Sequence, residues 1–286
     1  MGSGRRHGAG PVEAVVVHGG PGGCGELGPV ARRLAVRRAV LEPWSTALSV
    51  EAEIAELEDA LAAAGVVRAV VIGHSWGAWL ALLHAERHPG RVAAVVMVGA
   101  PPFDAADAAT IAPTRLSRLT AAERAEVEAL AAEGFAASDP DAARRFARLG
   151  AIFARADAFD PLPVAEAYDS EIRADVFAAV WPEAAELRAS GELKRRLGRL
   201  PVPLIAIHGD HDPHPASAIA ALADVVPTAF RFHLLTGCGH APWRERHAAE
   251  RFFGLVESEI DRCLVDRGEG AHAAHRDPTG SATLGT

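Results

Sequence analysis

Short apolar runs rich in β-branched residues alternate along this chain with stretches of helical period, and that alternation leaves few architectures open. The runs cover residues 12–17, 39–41, 69–72, 93–98, 204–207 and 230–235. Unbroken apolar runs of this length suit strands buried on both faces, and helical segments between them supply the crossovers of a parallel sheet. In one such segment Val50, Ile54, Leu57 and Leu61 recur at helical spacing, while Glu51, Glu53, Glu58 and Asp59 fall mostly off that line. One face of that helix is therefore expected to pack on the sheet. Near the C-terminus Phe252, Leu255, Val256, Ile260 and Leu264 form a similar stripe. The expected class is α/β, with a mostly parallel sheet of about six strands.

One stretch breaks the alternation. From 103 to 193 the pattern is helical, rich in Ala, Glu and Arg, and is interrupted at Asp139-Pro140, Asp160-Pro161, Pro163 and Trp181-Pro182. A helical insertion that returns directly to the sheet is expected to form a cap over the strand ends, where open α/β sheets bind ligands. The expected division is a core of 12–102 and 194–264, a helical cap of 103–193, and flexible termini at 1–11 and 267–286.

Composition excludes several classes of function. With 286 residues and 49% hydrophobic content, the chain is long enough to bury a sizeable core. Its longest apolar stretches, 66–73 and 92–102, fall far short of the roughly 20 residues a bilayer requires, so no membrane span is expected. The formal charge is −8, and Lys194 is the only lysine among 29 basic residues. No basic stripe is present for a phosphate backbone, so nucleic acid is not an expected partner. The three cysteines have no Cys-x-x-Cys spacing, which argues against a disulfide scaffold or a structural zinc site. The apolar run at 12–17 is too short for a signal peptide, and a cytoplasmic location is expected.

Four segments carry chemistry. Gly73-His74-Ser75-Trp76-Gly77 follows an apolar strand and opens a helix, the context a nucleophile elbow requires. A serine that merely caps the helix is the alternative. His18-Gly19-Gly20-Pro21-Gly22 ends the first apolar run. A glycine-rich turn lets backbone N–H groups approach a developing oxyanion, and the N–H groups of Gly20 and Trp76 are the natural donors. The strand at 204–207 runs into a loop with two candidate acids, Asp210 and Asp212. Asp212 is preferred because it lies farther into the loop that would orient an imidazole. The cluster His208, Asp210, His211, Asp212 and His214 fits no metal-ligand spacing, so no metal is expected. Finally His240 sits between glycines and a proline directly after the last strand, where its ring could act as general base. The order Ser, Asp, His along the chain is the order of triads on this kind of sheet.

Together these segments resemble the α/β-hydrolase superfamily across residues 12–264. The His-Gly-Gly-Pro-Gly loop is similar to that of its proline iminopeptidase-like branch, which pairs the loop with a helical cap. The resemblance implies an α/β-hydrolase fold without a cofactor, with Ser75 as nucleophile, Asp212 as acid, His240 as base, and Gly20 and Trp76 as oxyanion donors. An aspartate elbow, as in haloalkane dehalogenases and epoxide hydrolases, is not present. The chain departs from the branch in two respects. So few residues precede His18 that the starting hairpin should be shortened or absent. His74 stands where iminopeptidases typically carry glycine, as it does in many esterases and small-molecule hydrolases.

The expected function is hydrolysis of an ester or amide bond of a small molecule or short peptide through an acyl-enzyme. The alternatives are an aminopeptidase of the iminopeptidase type, a non-catalytic ligand-binding protein on the same fold, and an acyltransferase. Between 101 and 193 there are 17 acidic and 9 basic residues. If some of these carboxylates face the pocket they would favour a cationic substrate, with Glu183 and Glu186 beside Trp181 as candidates. A solvated acidic helix face is the competing reading. Phe103, Phe135, Phe146, Phe153, Phe159, Tyr168 and Phe177 are expected mainly to fill the cap, with some lining an apolar pocket.

Overall fold

The computed structural model describes residues 4–135, 139–163 and 171–272. Its strands are β1 (Gly4–His7), β2 (Val12–Val17), β3 (Gly23–Cys24), β4 (Ala39–Pro43), β5 (Ala69–His74), β6 (Val92–Val98), β7 (Glu171–Ile172), β8 (Leu204–Gly209) and β9 (Phe230–Leu235). Seven of them form one sheet in the order β1-β4-β2-β5-β6-β8-β9. Every neighbouring pair is parallel except β1 and β4. This is the α/β-hydrolase architecture, with seven strands where about six were expected.

The additional strand lies in the segment expected to fray. β1 pairs antiparallel with β4 from Gly4↔Pro43 to His7↔Val40, and His7 Nε2 lies 2.8 Å from the buried Glu42 carboxylate. Its sequence, Gly-Arg-Arg-His, has no apolar period because an edge strand is held by one row of backbone hydrogen bonds and keeps its side chains largely in water. At the other end the helix Ala249–His272 continues past 267, and 273–286 lie outside the described residues.

Strand alternation divides the core into two layers. Val15, Val17, Val71, Val95, Met97, Leu204 and Ala206 face one layer together with the helices Val50–Ala63 and Trp76–Arg87. Ala14, Val16, Val70, Ile72, Val96, Val98, Ile205 and Ile207 face the other, against the helices Gly28–Leu34 and Ala249–His272. Val50, Ile54, Leu57 and Leu61 are all buried, as their spacing predicts. Ser49 fixes the start of their helix by accepting from Ala52 N–H at 3.2 Å.

The insertion contains the helices Ala105–Ala108, Ile111–Ser117, Ala121–Glu133, Ala142–Ala156 and Ala174–Ala189. Thr120 and Glu123 form a capping box at the third of these. Contrary to the purely helical expectation, the insertion also carries β7, which pairs antiparallel with β3 and ties the insertion to the loop after β2. Leu119, Val127, Ile152 and Ala156 make a small core within it. Val176, Val180 and Ala184 instead join the main core. Tyr168 lies outside the described residues.

Candidate active site

β5 ends at His74, the chain turns at Ser75 with φ 50° and ψ −120°, and the helix Trp76–Arg87 begins. Among the described residues Ser75 is the only non-glycine at positive φ. Such a backbone costs on the order of 1–3 kcal/mol and persists only where the surroundings impose it. They do so here: a Cβ at Gly73 would stand 2.0 Å from Gly77 O, and one at Gly77 would stand 2.3 Å from Val17 O. Ser75 N–H donates to Val98 O at 2.9 Å, which ties the turn to the end of β6. Its side chain makes no helix-capping hydrogen bond, so the capping alternative fails.

Asp212 and His240 reach this turn from the loops after β8 and β9. His240 Nδ1 donates to Asp212 Oδ2 at 2.8 Å. Both pack on Gly99, directly after Val98, where a Cβ would come within 2.9 Å of His240 O, 3.0 Å of His240 Nδ1 and 3.1 Å of Asp212 Oδ2. The turn at Ser75 and the loops that carry Asp212 and His240 thus all follow the C-terminal ends of strands of one sheet, β5, β8 and β9. Asp210 is exposed and accepts Cys238 N–H at 3.2 Å, so it braces the turn that carries His240 and leaves the imidazole to Asp212.

Asp212 is buried and faces three imidazoles. Its Oδ2 lies 3.5 Å from His208 Nε2 and its Oδ1 lies 3.3 Å from His214 Nδ1, while Oδ1 also accepts His214 N–H at 2.9 Å. Burial opposes ionisation of Asp212, but His240, His214 and His208 outweigh it and hold the carboxyl well below its usual range. For His240 burial acts downward, and the Asp212 carboxylate more than offsets it, so the imidazole is more basic than usual. Burial keeps His214 well below its ordinary value and therefore neutral at pH 7.

A second acid, which the sequence reading did not single out, joins the loops of the site. Glu26 Oε2 accepts Gly19 N–H at 2.7 Å and lies 3.3 Å from His74 Nδ1. The other nitrogen of His74, Nε2, lies 3.0 Å from His240 O. The His74 ring therefore bridges the Glu26 carboxylate and the His240 carbonyl. Burial would raise the Glu26 carboxyl, but His74, assisted by Arg244 and Gly19 N–H, lowers it to about 2. The glycine-rich loop, the elbow and the base loop are therefore joined through one ion pair.

The base loop is also held from the insertion. His240 N–H donates to Asp157 O at 2.9 Å. The buried Glu245 carboxylate accepts from Gly239 N–H at 2.9 Å and from the Phe159 and Asp160 N–H groups at 2.8 Å each. Glu26 and Glu245 are isolated acids outside any motif, and their partners are distant in sequence except for Gly239 and Gly19.

Of the donors expected for an oxyanion, Trp76 N–H is the first of its helix, where N–H groups have no partner in the helix and the helix dipole favours negative charge. A Cβ at Gly20 would meet nothing within 4 Å, so that backbone faces open space. The Trp76 indole is buried, and its Nε1 donates to Glu53 Oε2 at 2.8 Å; burial pushes the Glu53 carboxyl up to about 7.

The cap residues named from sequence are placed differently. Glu183 is exposed, and its carboxylate accepts Val50 N–H at 2.8 Å, which caps a core helix. Glu186 is exposed. Trp181 stacks on Trp79 with ring planes 3° apart, and on Phe177. Two groups among the described residues bring potential metal-ligand atoms within 4.8 Å of one another: Asp212, His214 and His240, and, separately, Glu58, His84 and His88. In the first group the Asp212 oxygens already accept from the other two residues.

A model of the alpha/beta hydrolase family matches residues 14–253. No curated protein matches the chain significantly. Among solved structures, that of VinJ is 19% identical with a TM-score of 0.65, covering 91% of this chain and 94% of that one. Proline iminopeptidase from Mycobacterium smegmatis is 17% identical with a TM-score of 0.61, covering 92% and 95%. The esterase RhEst1 from Rhodococcus sp. is 22% identical with a TM-score of 0.59, covering 90% and 94%. At these identities the likeness is one of fold.

Proposed function

The chain belongs to the alpha/beta hydrolase family, and from that premise we propose that it is a serine hydrolase cleaving an ester or amide bond of a small molecule, with Ser75 as nucleophile, His240 as general base and Asp212 as the acid that orients it. The observation that carries this reading is the strained φ of Ser75 at a turn where the hydrogen-bonded Asp212–His240 pair arrives. A serine that only capped a helix would need neither feature.

In the proposed cycle Ser75 Oγ attacks the substrate carbonyl carbon while its proton passes to His240 Nε2. The carbonyl π electrons move to oxygen, where the N–H groups of Gly20 and Trp76 receive the negative charge. Collapse expels the alcohol or amine, which takes the proton from His240 and leaves an acyl ester on Ser75. Water then attacks that ester, giving a proton to His240, and in the second collapse Ser75 Oγ leaves with that proton from His240, which releases a carboxylic acid and restores both residues. Asp212 stabilises the imidazolium formed in both halves, in keeping with the raised basicity of His240.

The segment 103–193 serves in this reading as a cap. Support comes from its β7 pairing with β3 and from the hydrogen bond of Asp157 O to the His240 backbone. A requirement for a free α-amine is not favoured, since the carboxylate of Glu183 is engaged by Val50 N–H and Glu186 is exposed. Reaction with a fluorescent fluorophosphonate tests the assignment. Wild type should form a covalent adduct at residue 75 and Ser75→Ala should not; equal labelling of the two would remove Ser75 from the mechanism. Acyl nitrophenyl esters should turn over faster than aminoacyl anilides, and the reverse order would return the reading to an aminopeptidase.

A further inference from the structure

The strands that lead into Ser75 and Gly99, β5 and β6, begin at their other ends beside a cluster that the hydrolytic reading does not use. His84 lies in the last turn of the helix Trp76–Arg87, His88 caps that helix one turn later, and Glu58 projects from the neighbouring helix Val50–Ala63. Residues one turn apart share a helix face, so two imidazoles are presented together; their ring centroids are 5.0 Å apart.

We propose that Glu58, His84 and His88 bind a divalent transition-metal ion of the zinc class. Two imidazoles and one carboxylate, with a position left for solvent, form a donor set suited to that ion. Glu58 Oε2 lies 3.0 Å from His84 Nε2 and 3.9 Å from His88 Nδ1. Ligand atoms about 2.0–2.1 Å from a tetrahedral ion stand roughly 3.3 Å apart, so the two measured edges fall on either side of the required one. Small side-chain movements would equalise them. Arg91 Nε donates to the other carboxylate oxygen, Glu58 Oε1, at 2.9 Å and fixes the orientation of the group, as outer partners of metal ligands commonly do.

The protonation states suit ligation. His84 is buried and its pKa is lowered, chiefly by burial, which leaves the imidazole neutral at pH 7. Burial would raise the Glu58 carboxyl, but its bonds to Arg91 and His84 lower it and keep it ionised. On binding, the ion takes the place of the hydrogen at His84 Nε2, and the neutral ring carries its hydrogen on Nδ1, which is otherwise unpartnered. Glu58 and His88 border an open surface depression of about 480 Å³, with Pro89, Gly90 and Arg91 among its other lining residues, while His84 is buried behind them. At about 3.3 Å per residue, β6 separates this depression from Gly99 by about 20 Å. The ion would therefore clip two helices and the turn before β6 without touching the reacting bond.

The test uses the full chain without an affinity tag, freed of metal by a chelator. Calorimetric titration with Zn²⁺ should give one equivalent at ~micromolar affinity or tighter, and Co²⁺ should develop the visible absorption of a tetrahedral site. His88→Ala, at a partly exposed position, should weaken Zn²⁺ binding at least ~10-fold and abolish the rise in Tm that Zn²⁺ produces in wild type. Glu58→Gln should do the same, and His240→Ala should bind as wild type does, which distinguishes this cluster from the one around Asp212. Absence of binding at ~100 μM Zn²⁺ would overturn the proposal. So would binding that His88→Ala leaves intact, or binding that His240→Ala abolishes. None of these outcomes bears on the assignment of Ser75.

Discussion

Replacing Glu26 by Gln should remove the ion pair that joins three loops of the site, and the structure sets the size of the effect. The carboxyl is held at about 2 against an ordinary 4.5, with His74 as the main source of the lowering and burial acting against it. A difference of that size corresponds to about 3 kcal/mol of preference for the charged form in the folded state. The Glu26 side chain is 28% exposed, so solvent screens part of this, and about 2 kcal/mol is the expected loss at pH 7. The sign follows from linkage. A carboxyl depressed by folding contributes its full stability above its unfolded pKa and loses that contribution as pH falls through the folded value. The deficit of Glu26→Gln relative to wild type should therefore be greatest from pH 5 to 7, shrink to roughly half near pH 3.3, and disappear below about 2. Urea unfolding of both proteins at pH 7 and pH 3.3 measures it. A deficit below about 0.5 kcal/mol at pH 7, or one equally large at both pH values, would refute the ion pair as a stabilising element.

Two further perturbations address the proposed chemistry. Asp212→Asn should lower kcat by ~10³–10⁴-fold, as loss of the orienting carboxylate does in triads generally. Because that carboxylate is what raises the basicity of His240, and the neutral imidazole is the active form, the acidic limb of kcat/KM should move to lower pH in this variant; a pH–rate profile with an unmoved limb would separate Asp212 from His240. Gly99→Ala would place a methyl group about 3 Å from both residues, on a backbone at φ 54°. It should reduce the rate of fluorophosphonate labelling at least ~10-fold with little change in far-ultraviolet circular dichroism, and labelling at the wild-type rate would show that the pair does not depend on this contact.

Much of the architecture was legible from periodicity because it is governed by burial, which repeats along the chain. The runs that became β2, β5, β6 and β8 contribute alternate residues to the two core layers, and the stripe from Val50 to Leu61 is buried as its spacing required. β1 was not legible, since an edge strand is held by backbone hydrogen bonds that any sequence can make. The two-residue strands β3 and β7 are too short to carry a period, although their pairing is what ties the insertion to the loop after β2. Among the off-stripe acids Glu53 is buried, because the Trp76 indole reaches it from another helix.

By itself the order of residues determined the layered sheet, the tight turn at Ser75 and the short list of acids and bases able to serve it, since each depends on neighbours along the chain. Only the folded arrangement decided between Asp210 and Asp212, recruited Glu26 and Glu245, and turned Glu183 away to cap a helix. Those outcomes depend on which hydrogen-bonding groups meet across long stretches of sequence. An isolated polar side chain carries no record of its eventual partner, whereas an apolar one need only find the common interior.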